Sequence, residues 1–129
     1  MSLTNIQTYN NLLSPDEKAI CDSLMHTINT SLTDAESKIR HGHPVWFLAG
    51  NPVVGYSKQK KWICLPFRSG QSFDEENLHP EWKFKAAQIC YTDSTQIDSK
   101  DLQRWLEKSK SIQRDYKNIV KRRGVLERL

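Results

Sequence analysis

The order of patterns along these 129 residues predicts an α+β domain. It is a two-layer sandwich: N- and C-terminal helices cover one face of an antiparallel sheet of about four or five strands. Three observations carry this prediction. Apolar residues recur at helical spacing in the first third of the chain and again near its end; between them the period falls to two; and the strand-like segments follow one another across turns too short for a parallel crossover.

Ile6, Tyr9 and Leu13 share a helical face, enough for a short helix that docks on a partner element. "SPDE" then marks a helix start, with Ser14 as N-cap, Pro15 at the first helical position and Glu17 completing a capping box. The helix predicted from 15 to about 32 turns Ile20, Leu24 and Ile28 to the core and keeps Asp16, Asp22 and Asn29 off that stripe. "IRHGHPVWF", residues 39–47, admits two readings. His41 and His43 would point the same way along a strand, and could hold a metal ion only with a third ligand such as His26 or Glu36. The alternative is a turn at Gly42 and Pro44 that leads the chain into the sheet, and that is the expectation adopted.

Strands are predicted at 45–48, 53–57 and 62–67, separated by the turns "AGNP" and "KQKK". If Leu48 faces Val53 and Ser57 faces Trp62, one sheet face collects Val45, Phe47, Val54, Tyr56, Ile63, Leu65 and Phe67. The other collects Trp46, Leu48, Gly55, Ser57, Trp62 and Cys64. Ser72 and Glu75 have capping-box spacing, which predicts a helical turn at 73–78. A fourth strand is expected at 85–91. Asp98 then caps a long final helix with Leu102, Trp105, Leu106, Ile112, Tyr116, Ile119 and Val120 as its stripe, and Gly124 as its stop. No internal repeat or linker divides the chain, so residues 1–129 are read as one domain.

No apolar run approaches the roughly 20 residues a membrane helix needs, and no basic segment followed by an apolar stretch opens the chain. A cytoplasmic location and no membrane partner are expected. Cys21, Cys64 and Cys90 are odd in number and lack CxxC or finger spacing. They read as small hydrophobes, or at most one reactive thiol, and neither a disulfide framework nor structural zinc is expected. Glycines in GxGxxG or GxxxxGK spacing are missing, and Cys64 and Cys90 have no local signature of a nucleophile, so no catalytic site and no cofactor are expected.

Two binding surfaces remain. Trp46 and Trp62 beside Gly55, Ser57 and Cys64 would leave an apolar concavity, with Arg68 at its rim for an anionic ligand. This face is expected to be a small-ligand pocket partly roofed by 72–84 or a self-association surface. The competing expectation is that Phe73, Leu78, Trp82 or Phe84 folds over it. The second surface follows from the net charge of +4, with Lys58, Lys60 and Lys61 in one basic stretch and Lys117, Lys121, Arg122 and Arg123 in another. Such stretches suit weak, nonspecific, salt-dependent contact with nucleic acid, although the C-terminal cations also favour the negative end of a helix dipole.

"YNNLLSPDEKAICDSLMHTI", "KIRHGHPVWFLAGNPVVGYSKQKKWICLPF" and "DLQRWLEKS" together resemble the YdhG-like family of bacterial proteins, domain of unknown function 1801. The matching features are Tyr9 and Leu13, the turn Gly42-His43-Pro44, the apolar strand after it, the hairpin and Gly55. Members are grouped with frataxin-like iron chaperones, so the resemblance implies an α+β sandwich and iron handling. An iron-binding ridge needs clustered carboxylates, whereas Asp16, Glu17, Asp22, Asp34 and Glu36 are spread out. No metal site is therefore expected.

Overall fold

In the computed structural model, which describes residues 6–40, 42–60, 62–73, 75–80 and 86–112, the chain begins with α1 (Ile6–Asn11) and α2 (Pro15–Ser31). Ser14 is an N-cap in extended conformation. Its hydroxyl oxygen accepts the Glu17 N–H at 3.4 Å, and the Glu17 carboxylate accepts the Ser14 N–H at 3.3 Å. α2 buries Ile20, Leu24 and Ile28, the predicted stripe, together with Cys21.

Among the described residues, seven strands follow in one antiparallel sheet: β1 (Glu36–Arg40), β2 (His43–Leu48), β3 (Asn51–Gly55), β4 (Ser57–Gln59), β5 (Trp62–Phe67), β6 (His79–Pro80) and β7 (Ala87–Tyr91). Their order is β1-β2-β3-β5-β7-β6, with β4 also paired to β5. The expected four or five strands are thus exceeded. β1 lies where only a connection is predicted, because four of its five residues are exposed and it shows no apolar alternation. β6 has two residues, too few to leave a pattern.

The assumed register of the first hairpin is corrected. Ala49 (φ 51°) and Gly50 (φ 80°) form a two-residue turn with both residues in the left-handed region, as tight hairpins favour, so Leu48 faces Asn51 rather than Val53. A bulge between Trp46 and Phe47 then sets Trp46 opposite Val54 and Val45 opposite Gly55. One residue of slip exchanges the faces of a strand. Trp46 therefore joins Val54, Phe67, Leu65 and Ile63 under the helices, while Val45 and Phe47 lie on the opposite face with Gly55 and Cys64.

α3 (Ser99–Ser111) starts at Asp98, whose carboxylate accepts the N–H groups of Lys100 and Asp101 at 3.0 and 3.1 Å. It lays Leu102, Trp105 and Leu106 on the core beside α2. Phe67 meets Phe73 and Trp105 edge to face at 5.7 and 6.0 Å. Polar groups fix the angle at which α1 and α2 approach the sheet. Buried Asn10 accepts the Tyr56 hydroxyl at 2.7 Å and donates to Asp22 at 2.9 Å, and Trp46 Nε1 donates to Asn29 at 2.8 Å. His41, Lys61, Trp82, Phe84, Lys85, Tyr116, Lys117, Ile119, Val120, Lys121, Arg122, Arg123 and Gly124 lie outside the described residues.

Candidate functional site

Gly55, Ser57, Trp62 and Cys64 share the sheet face opposite the helices, as the strand period requires. Trp46 does not join them. It is fully buried in the core, which corrects its assignment to a ligand site with Trp62. A Cβ on Gly55 would come within 2.5 Å of the Pro44 carbonyl oxygen, so the space beside this glycine is taken up by the backbone of β2. Val45 and Phe47 are buried on this face, Phe47 beneath the Lys38 ammonium at 4.6 Å and the Arg40 guanidinium at 5.6 Å. Trp62, opposite Gln59, is 41% exposed, and half-buried Ser57 accepts the Gln59 amide at 2.9 Å. Arg68 is half-buried just past β5, and its backbone N–H donates to Val53. His43 sits in β2 opposite Arg40. Among the described residues no three His, Cys, Asp or Glu side chains are grouped to hold a metal ion.

The cysteine expectation is corrected. Cys64 and Cys90 form a disulfide, 26 residues apart in sequence and directly opposite each other on β5 and β7. Spacing along the chain could not show this pairing, because it follows from a strand register that depends on how the intervening segment folds. Cys21 remains a free thiol in the core. Burial, followed by the negative charges of Asp22 and Glu17, pushes its pKa up to about 12, so it stays protonated at neutral pH.

A second feature is absent from the sequence expectations. The chain after β5 makes a single 3-10 turn at Gly70–Ser72, in place of the helical turn predicted at 73–78. Glu75 then reaches away from Ser72 to α3. Its two oxygens accept Arg104 Nη2–H at 2.7 Å and Nε–H at 3.0 Å, Trp105 Nε1–H at 2.8 Å, and the Lys108 ammonium. Lys108 also donates to the Phe73 carbonyl at 2.8 Å. The Arg104 hydrogen bonds are the largest of the effects that hold the Glu75 carboxyl down to about 2, and they outweigh its desolvation. Arg104 also pairs with Asp101 at 2.9 Å, and Asp101 accepts the Asn77 amide at 3.4 Å.

This network forms one wall of an open groove of about 680 Å³ between residues 70–80, β7 and α3. Gln71, Glu75, Glu76, Asn77, Asp101 and Arg104 supply its polar lining. Gln71 is tied to the far wall through the Ala86 carbonyl at 3.0 Å, and Gly70 packs so closely on β7 that a Cβ would stand 2.8 Å from that of Ala87. One signal could have revealed the hub: Arg104, Trp105 and Lys108 place three donors on adjoining positions of one amphipathic helix, which invites a carboxylate from outside it.

Comparison of the chain with protein-family models, curated proteins and solved structures finds no match. Among the described residues, no helix is long and apolar enough to cross a membrane.

Proposed function

We propose that the chain is a small cytoplasmic binding protein of the YdhG-like group, without catalytic apparatus of its own, that takes a small polar ligand in the groove between residues 70–80 and α3. The groove's size carries this reading, since about 680 Å³ lies within the range of small-molecule sites. Its polar groups are held in advance: Arg104 is clamped between Glu75 and Asp101, and Asn77 is bonded to Asp101. The lining carries three carboxylates, Glu75, Glu76 and Asp101, against the Arg104 guanidinium and the Lys108 ammonium that pairs with Glu75, and the remaining negative charge favours a ligand bearing an amine or a guanidine.

The test is a panel of small amines and guanidines, followed by amide chemical shifts of the protein and repeated with Asp101→Asn. Shifts confined to 70–80 and α3, weakened in the variant, support the proposal. A panel that leaves these amides unmoved, or moves those around Trp62 instead, overturns it. Weak nonspecific nucleic-acid binding is the second reading, and the observation favouring it is exposed Trp62 beside the tip of the hairpin carrying Lys58 and Lys60. Part of that hairpin's charge is already engaged, because Lys58 pairs with Glu17 at 3.2 Å. Oligonucleotide binding that survives moderate salt would make this the better reading.

A further inference from the structure

Cys64 and Cys90 are one pair in a ladder whose other four pairs align β5 and β7 without them. Ile63 faces Tyr91, Leu65 faces Ile89, Pro66 faces Gln88 and Phe67 faces Ala87. Ile63, Leu65, Phe67, Ala87 and Tyr91 point to the other side of the sheet and are buried in the helix-covered core. The two strands are thus joined by backbone hydrogen bonds and apolar packing, and the sulfur bridge lies on the face away from that packing. The two cysteines also differ in exposure: Cys64 is only 4% exposed, whereas Cys90 is half-buried. The third cysteine, Cys21, is enclosed beneath α2 on the opposite side of the sheet, where it cannot enter exchange while the fold is intact.

We propose that the Cys64–Cys90 bond is a reversible thiol–disulfide site, opened by a dithiol reductant that attacks the Cys90 sulfur, with the fold retained in both redox states. A thiolate of the reductant bonds to Cys90 Sγ, the Sγ–Sγ bond breaks, and its electron pair leaves with Cys64, which takes up a proton. The second thiol of the reductant then attacks its own partner sulfur in the mixed disulfide and releases Cys90 as a thiolate, which is protonated. Two electrons have moved, and the reductant departs as a disulfide. Closure is the reverse, driven by a disulfide oxidant. Because the ladder keeps the two residues opposite each other, the free thiols stay placed to close again. In a reducing compartment such a pair cycles between dithiol and disulfide instead of serving as a permanent cross-link.

The test equilibrates the full chain, without denaturant, against graded ratios of reduced to oxidised dithiothreitol. Free thiols are then trapped with iodoacetamide and located by peptide mass spectrometry. Cys64 and Cys90 should gain and lose their label together, Cys21 should stay unlabelled, and the far-ultraviolet circular dichroism should not change. With one partner removed, Cys90 in Cys64→Ser should label severalfold faster than Cys64 in Cys90→Ser. Label that reaches the pair only when Cys21 is also labelled would show that the bond opens by unfolding and would overturn the proposal. So would a pair that stays alkylatable after treatment with diamide, or a Cys64→Ser/Cys90→Ser double variant that fails to fold.

Discussion

Replacing Glu75 by Gln keeps the shape of the hub and removes its charge. The amide oxygen can still accept Trp105 Nε1, but the bidentate contact with Arg104 and the ion pair with Lys108 lose their anionic partner. A hydrogen bond to a charged group contributes about 1.5–3 kcal/mol, and screening reduces what a solvent-facing partner adds. The Glu75 side chain is 9% exposed and that of Arg104 is 46% exposed, so the Arg104 side of the pair is discounted. A net loss of about 2 kcal/mol is expected, which for a chain of this size lowers the melting temperature by roughly 6–10 °C. The sign of the pH dependence follows from the depressed carboxyl. Its stabilisation is complete above the ordinary value of 4.5 and is lost as pH falls through about 2. Urea midpoints of the parent and Glu75→Gln should therefore differ most near neutrality, with the gap falling to about half at roughly pH 3. An equal gap at both pH values would show that packing, rather than charge, accounts for the role of Glu75.

Gly55→Ala should destabilise by about 1–3 kcal/mol, because its Cβ would meet the Pro44 oxygen at 2.5 Å and the strands must part; thermal melts that coincide with the parent's would refute the close approach. Tyr56→Phe removes the donor to buried Asn10, at a cost of about 1–3 kcal/mol, and amide exchange in α1 should quicken. Unchanged exchange there would mean that α1 is held by other contacts. Ser14→Ala should cost about 1 kcal/mol in chemical denaturation through loss of the α2 cap, and a neutral result would exclude the capping box as a source of stability.

Helix signals in this chain are local and were legible. Ser14, Pro15 and Glu17 mark the start of α2 within four residues, Asp98 marks the start of α3, and the stripes Ile20-Leu24-Ile28 and Leu102-Trp105-Leu106 lie buried as their spacing requires. Sheet signals are relational, and they failed wherever two segments had to be matched. The faces of β2 turned on the conformation of Ala49 and Gly50 and on one bulge, neither of which alters the alternation of apolar residues. The opposition of Cys64 and Cys90 depended on a register across 26 residues. Of the proposed site residues, Gly55, Ser57, Trp62 and Cys64 kept their common face although Ser57 faces Cys64 rather than the assumed Trp62, because a shift of two residues leaves the faces of a strand unchanged, whereas Trp46 was carried to the core by the one-residue slip. Ser72 and Glu75 carry real capping-box spacing, yet the cluster of donors on α3 competes for the same carboxylate and holds it.

The ends of the sheet bear on how the protein behaves in a crowded solution. Every sheet with open edges offers unpaired backbone donors and acceptors to another chain, and a flat apolar edge is a template for strand addition. At one end here stands β1, whose Glu36, Lys38 and Arg40 alternate along one side and are exposed. A second copy approaching that edge parallel and in register would set Lys38 against Lys38 and Arg40 against Arg40 and strip water from them. At the other end, among the described residues, β6 offers His79 and Pro80, and Pro80 has no N–H to give. Lys38 and Arg40, which cap the ring of Phe47 within one molecule, thereby also discourage that edge from joining the next.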